Sequence, residues 1–189
     1  MDASRFVIIF LMLFFYALCF VQATGFHSEQ KAKCKICHVD ETEPDNINLA
    51  WQKTQNNNYY IPYSSQTLDA RVSQPLGSSK LCLSCHDGAM ADDDNGSYML
   101  QSNQVISRDL GTSHPISFRY DSYLAMKDGE LRDPNISPSG LGGTIHNDML
   151  VNGNLECVSC HDIHGMRGTR NYLIKPNNRS RLCLTCHNK

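Results

Sequence analysis

The pattern of apolar and polar residues divides the chain into one apolar segment and a much longer polar remainder. Residues 6–21 read FVIIFLMLFFYALCFV without a charge, and residues 21–23 (VQA) then have the small-residue pattern of a signal-peptidase site. The run is slightly long for a signal core and slightly short for a membrane span. We expect residues 1–23 to be a cleaved secretory signal rather than an uncleaved anchor, leaving no membrane span. The mature chain, 24–189, would then be exported to the periplasm or the extracellular space.

The remainder of the chain shows almost no sustained helical or alternating apolar periodicity. Segments such as NNNYYIPYSS, RDPNISPSGLGG and KPNNRS consist of turn and loop residues. A chain of this composition would struggle to build an ordinary hydrophobic core. The expected fold therefore has few short α-helices, mostly irregular coil and little β structure.

Cysteine spacing supplies the candidate chemistry. Cys19 falls inside the predicted signal, where lipidation is the alternative, and the eight remaining cysteines all lie in C-x-x-C pairs. Each pair is followed at once by histidine, in CKICH (34–38), CLSCH (82–86), CVSCH (157–161) and CLTCH (183–187). This is the attachment signature of c-type haem: two thiols bond the vinyl groups, and the next imidazole binds the iron. A disulfide framework or zinc sites are the alternatives, but neither needs histidine at that position every time.

Four motifs predict four haem c groups, which would supply the missing apolar mass and organise the coil around a stacked haem chain. The predicted covalent attachment sites are Cys34, Cys37, Cys82, Cys85, Cys157, Cys160, Cys183 and Cys186. The predicted proximal iron ligands are His38, His86, His161 and His187. We expect the protein without its haems to be largely unfolded.

Histidine counting predicts the second axial ligands. The chain has eight histidines, and four remain once the proximal ligands are assigned: His27, His114, His146 and His164. Four irons with two imidazoles each require eight, so we predict these four as distal ligands. Methionines are rival axial ligands, and we interpret them as packing residues because enough histidine is present.

The motif order indicates two doubled units. SSKLCLSCHD (78–87) and RSRLCLTCHN (179–188) read as copies of one unit, which divides the mature chain into about 24–113 and 114–189. The pieces CVSCHDIHG, LCLSCHDG and SHPISF make the chain similar to the multihaem cytochromes with doubled C-x-x-C-H motifs, common in anaerobically respiring bacteria. GFHSEQKAKCKICH (25–38) and RLCLTCHNK (181–189) resemble the ends of extracellular cytochromes that polymerise into filaments. That resemblance implies bis-histidine irons and haems stacked in a chain.

Charge adds a hypothesis about assembly. The formal net charge of −2 gives no argument for nucleic-acid binding. Residues 163–189 carry basic side chains and no acid, whereas residues 40–45 are acidic, so the two could meet in neighbouring subunits. The last motif lies close to the end of the sequence, and we expect His27 to bind a haem iron of a neighbouring copy, which gives a head-to-tail homopolymer. The alternative is that His27 folds back onto a haem of its own subunit.

The function expected from these features is electron transfer in anaerobic or extracellular respiration, without substrate chemistry. Six-coordinate bis-histidine iron changes redox state with little rearrangement and leaves no open site for a substrate. The expected partners are redox proteins or an extracellular electron acceptor. The rival hypothesis is a haem enzyme or sensor, such as a small-molecule reductase, with one open haem site.

Overall fold

The computed structural model describes residues 58–88, 104–167 and 169–189. The α-helices are α1 (Gly77–His86), α2 (Ser122–Asp128), α3 (Ile145–Met149) and α4 (Cys183–Cys186), and the strands are β1 (Phe118–Arg119) and β2 (Asn154–Leu155). Short 3-10 helices cover Cys157–Ser159, Arg170–Tyr172 and Asn178–Ser180. Irregular backbone connects these elements, which confirms the expectation of few short helices and little β structure for the described residues. The wrapping of the coil around haems stays a prediction.

Local capping explains where the helices between the second and third motifs begin and end. The Asp121 carboxylate accepts a hydrogen bond of 2.9 Å from the Leu124 N–H at the start of α2. Gly129 ends the same helix with a φ of 75°, a left-handed conformation that glycine adopts without a Cβ clash. At the start of α3, the Thr144 hydroxyl accepts from the Asn147 N–H at 3.3 Å. These short helices are therefore set by their caps rather than by long apolar periodicity.

The larger apolar cluster forms around the strand pair. β1 and β2 run antiparallel with Phe118 opposite Leu155. The buried members of the cluster are Phe118, Tyr120, Leu124, Ala125, Ile145, Met149, Leu155, Ile174 and Leu182. Cys160 and Cys186 pack partly buried against it. Cysteines of the third and fourth motifs thus lie at the edge of this core.

A smaller apolar cluster lies under the second motif. It consists of the buried side chains of Tyr60, Leu83 and Leu110. Leu83 comes from α1 and is fully buried. Ile116 packs against this cluster and also against the larger one. Ile116 therefore connects the apolar cluster under the second motif to the larger one.

The described residues contain no helix that is long and apolar enough to cross a membrane. The apolar segment 6–21 lies outside them, so the predicted signal segment 1–23 and its cleavage stay predictions. The division of the mature chain into units of about 24–113 and 114–189 also stays a prediction.

Candidate haem-binding site

The second motif occupies the C-terminal half of α1, where Cys82, Cys85 and His86 are all partly buried. Nδ1 of His86 lies 2.8 Å from the carbonyl oxygen of Gln104. Because a carbonyl oxygen only accepts hydrogen bonds, Nδ1 carries the proton and Nε2 keeps the lone pair that an iron ligand needs. The Ile106 N–H donates to the His86 carbonyl at 2.7 Å, so the same segment also holds the backbone of this histidine.

A buried carboxylate follows directly after His86. The Asp87 side chain is fully buried, and its Oδ2 lies 3.2 Å from Nε of Arg108. The same oxygen accepts from Asn58 Nδ2 at 2.8 Å and from the Tyr60 hydroxyl at 2.9 Å. Three donors satisfy this buried charge and fasten two irregular segments to the end of α1. Asp87 therefore positions the second motif, although sequence analysis did not single it out.

The third motif begins with a 3-10 helix that is capped by Glu156. This buried glutamate accepts a hydrogen bond of 2.9 Å from the Ser117 hydroxyl, and its own N–H donates to Ser159 Oγ at 2.9 Å. The two side chains form a reciprocal capping box. His161 follows on the surface, with Nδ1 3.3 Å from the carbonyl oxygen of Asn171. As at the second motif, a backbone carbonyl leaves Nε2 available as a ligand.

The fourth motif lies along the segment that follows α2. The Arg132 N–H donates to the Cys186 carbonyl at 2.8 Å, which holds α4 beside that segment. The ring of His187 lies beside the ring of His114, with centroids 6.3 Å apart and planes inclined at 76°. Burial, followed by the neighbouring His114, lowers the pKa of His187. This shift favours the neutral imidazole, which is the form that binds metals.

The cysteines of the three described motifs lie in succession. A hydrogen bond from the Cys82 thiol lowers the pKa of Cys157, so the second and third motifs touch at their sulfurs. Cys160 in turn lies close to Cys183 and Cys186, whose charges act on it. Attachment points on the second, third and fourth motifs are therefore neighbours in that order.

An apolar cavity of about 330 Å³ borders the third and fourth motifs. The candidate haem residues in its lining are His114, Cys160, Cys183, Cys186 and His187. Most of the other lining side chains are apolar, and Met149 is among them. Two thiols of one motif and its imidazole are the groups that attach a c-type haem, and the second imidazole on this apolar surface could serve as the other axial ligand. The residues present therefore fit haem at the fourth motif, and Cys183 and Cys186 would hold it.

The cysteines of the three described motifs give no support to the alternatives of zinc sites or a disulfide framework. No disulfide joins the cysteines in the part of the chain that the structure describes. Within that part, no group of three or more His, Cys, Asp or Glu side chains converges as a metal-ion site. Burial raises the pKa of Cys160 and Cys186 to about 11, so both thiols are protonated at neutral pH. Burial in this apolar environment thus disfavours the free thiolate form of both side chains.

Two further predicted distal ligands lie within the described residues. The backbone N–H of His146 donates to the Pro134 carbonyl at 2.9 Å, and its Nδ1 is buried without a hydrogen-bond partner among the described residues. An unpaired buried ring nitrogen is costly, and only a group bound at Nδ1 itself would relieve that cost. His164 lies on the surface in the turn after the third motif. Binding of haem iron by His146 and by His164 stays a prediction. The roles of Cys34, Cys37, His38 and His27 also stay predictions, because these residues lie outside the described residues.

Comparison with protein families found a match in the region of the third and fourth motifs. A family model described as "Doubled CXXCH motif" matches residues 149–189, which carry the third and fourth motifs. A search of curated proteins found no match. Together, the motifs indicate covalently bound haem c and support a c-type-cytochrome-like multihaem protein. Haem-binding electron transfer is the general function that this class of motif indicates.

Proposed function

We propose that the protein is an exported electron carrier with four covalently attached bis-histidine haems, and not an enzyme. Haem supplies iron centres that accept and release single electrons. The observation that carries the proposal is the succession of thiols, with Cys82 against Cys157 and Cys160 beside Cys183 and Cys186. Attachment points this close place neighbouring haems within short range of one another, so electrons hop from one to the next along the chain.

The local structure supports axial ligation by imidazole. His86, His114 and His161 each place Nδ1 against a backbone carbonyl oxygen, at 2.8, 2.8 and 3.3 Å respectively. Such bonds fix the ring orientation and direct Nε2 away from the backbone. They also raise the basicity of the ligand nitrogen, which favours the oxidised iron and lowers the reduction potential. Redox proteins or an extracellular acceptor are the proposed partners.

Intact mass and spin state together test this function. The mature protein should have the mass of residues 24–189 plus four haems, and every iron should be low-spin and bind carbon monoxide poorly. His164→Ala should convert one haem in four to high spin without loss of covalent haem. A mass that fits zinc or disulfides would contradict haem attachment. A substantial high-spin fraction in undamaged wild-type protein would instead favour the enzyme or sensor with one open haem site.

We further propose that copies assemble head to tail, with His27 of one copy binding an iron of the next. The proposal is supported by exposure at the C-terminal motif, where Cys183 and Leu184 both lie on the surface. A haem attached there would be partly exposed and would offer a surface for contact between copies. Heterologous contacts of this kind propagate into rings or open filaments.

His27→Ala should abolish polymers seen by electron microscopy while monomers keep all four haems by mass. The physical reason is that the contact between copies would lose its iron–nitrogen bond. His164→Ala is the matched control, because it removes a predicted ligand within one subunit and should leave polymers intact. Wild-type protein that stays monomeric at high concentration with every iron low-spin would show that His27 binds within its own subunit.

A further inference from the structure

We propose that His114 and His187 are the two axial ligands of a single iron, that of the haem attached to Cys183 and Cys186. The assignment rests on the proposed function, because it requires haem at the fourth motif. It goes further by naming which distal histidine serves which motif. It also makes two segments that lie far apart in the sequence share one metal centre.

The separation of the two rings carries the assignment. An imidazole nitrogen lies about 2 Å from a bound first-row metal, and the ring centre lies about 1.1 Å behind it, so two opposed imidazoles on one metal have centres roughly 6.2 Å apart. The measured distance between the centroids of His114 and His187 is 6.3 Å. The 76° angle between the ring planes is compatible with this arrangement, because each ring can rotate about its own iron–nitrogen bond.

The tautomer of His114 is the one that a ligand requires. Its Nδ1 lies 2.8 Å from the carbonyl oxygen of Pro115, so Nδ1 donates and Nε2 carries the lone pair. The proline ring restricts the backbone beside His114 and so limits the motion of the side chain. Two residues further on, the Ser117 N–H donates to the Leu155 carbonyl at 2.7 Å, which anchors the segment to the strand pair.

An ordinary edge-to-face contact between two aromatic rings is the competing explanation, since such pairs have centroids about 4.5–7 Å apart. The residues around the two rings favour axial ligation of one iron over a simple packing contact. Both rings line the apolar cavity of about 330 Å³ that Cys183 and Cys186 also line. Packing between two rings gives no reason for the two thiols of the motif that ends in His187, whereas those thiols would hold a porphyrin beside both rings.

The assignment changes the expected contact between copies. If the iron at the fourth motif takes both imidazoles from its own chain, His27 of a neighbour is not needed there. His27, His146 and His164 then serve the irons at the first three motifs. A head-to-tail contact through His27 would therefore reach one of those three irons and not the one nearest the C-terminus.

The experiment uses the full-length haem-loaded protein and asks which haem loses a ligand. His114→Ala should keep all covalent haem by mass and give a high-spin ferric signal of one haem per chain in electron paramagnetic resonance. His114→Gly with added imidazole should return that haem to low spin. The same substitution is then made in Cys183→Ala/Cys186→Ala protein, which lacks the fourth haem. In that background His114→Ala should add no high-spin signal, whereas the control His164→Ala should still convert one haem per chain to high spin.

Two results would overturn the assignment. One is haem-loaded His114→Ala protein that stays fully low-spin, and the other is an extra high-spin haem from His114→Ala in the background without the fourth haem. If that background fails to accumulate, His114→Ala/His187→Ala decides: one altered haem per chain supports a shared iron, and two altered haems refute it. Failure of the proposed function is distinguishable, because it would show in the wild-type protein before any substitution, as missing covalent haem or as a substantial high-spin fraction.

Discussion

Protein made without haem attachment is expected to lose its cooperative fold. The described residues bury two apolar clusters, and the larger one borders a cavity of about 330 Å³. An empty cavity costs roughly 24 cal/mol per Å³, which gives about 8 kcal/mol as an upper bound because this cavity is partly open to water. That cost is comparable to the whole stability of a typical domain, about 5–15 kcal/mol. Haem that fills the cavity removes the cost, and its thioether bonds keep it there.

Thermal unfolding followed by circular dichroism measures this effect. The mature sequence with serine at all eight motif cysteines, or the native sequence made without haem-attachment machinery, should show a weak helical signal and no cooperative transition. The haem-loaded protein should unfold cooperatively under the same conditions. Glu130→Ala in the haem-loaded protein is a control for surface change, since its exposed ion pair with Lys189 contributes little. A haem-free chain that unfolds cooperatively near the same temperature would contradict the prediction.

Much of the site could be predicted from sequence because covalent attachment is local. Two thiols and one imidazole must reach the same porphyrin, so five consecutive residues carry the chemistry of each motif. The scarcity of helix was predictable for a similar reason, since long apolar periodicity is missing. The motifs themselves adopt different backbones, with an α-helix at Cys82–His86 and a 3-10 helix at Cys157–Ser159. Spacing alone does not distinguish these conformations, because both bring the two thiols to one side.

Contacts between residues that are far apart in the sequence could not be predicted from local patterns. The pairing of His114 with His187 depends on how the segment before β1 lies against the C-terminal motif, and no local pattern encodes that. The same holds for Asp87, whose donors Asn58, Tyr60 and Arg108 are distant along the chain. Its only sequence signal was its position directly after a motif histidine, as in the CHD of the second motif. Histidine counting predicts a set of ligands but does not predict which iron each histidine serves.

Among the three described motifs, the third connects the other two, so its loss should disturb electron transfer between them the most. Cys157 contacts Cys82 on one side, and Cys160 lies beside Cys183 and Cys186 on the other. Electron hopping slows steeply as the gap between donor and acceptor widens. Loss of the haem at the third motif would leave such a gap between the haems at the second and fourth motifs.

Cys157→Ala/Cys160→Ala should therefore lower the mass by one haem and slow electron exchange between the haems at the second and fourth motifs by several orders of magnitude. The rate can be measured by flash photolysis or pulse radiolysis, with low-spin spectra of the remaining haems as the check on folding. Cys183→Ala/Cys186→Ala is the matched control, because it also removes one haem but leaves the second and third motifs in contact. It should retain fast exchange between their haems. Fast exchange between the haems at the second and fourth motifs after loss of the third haem would show that the order of the thiols does not trace the electron path.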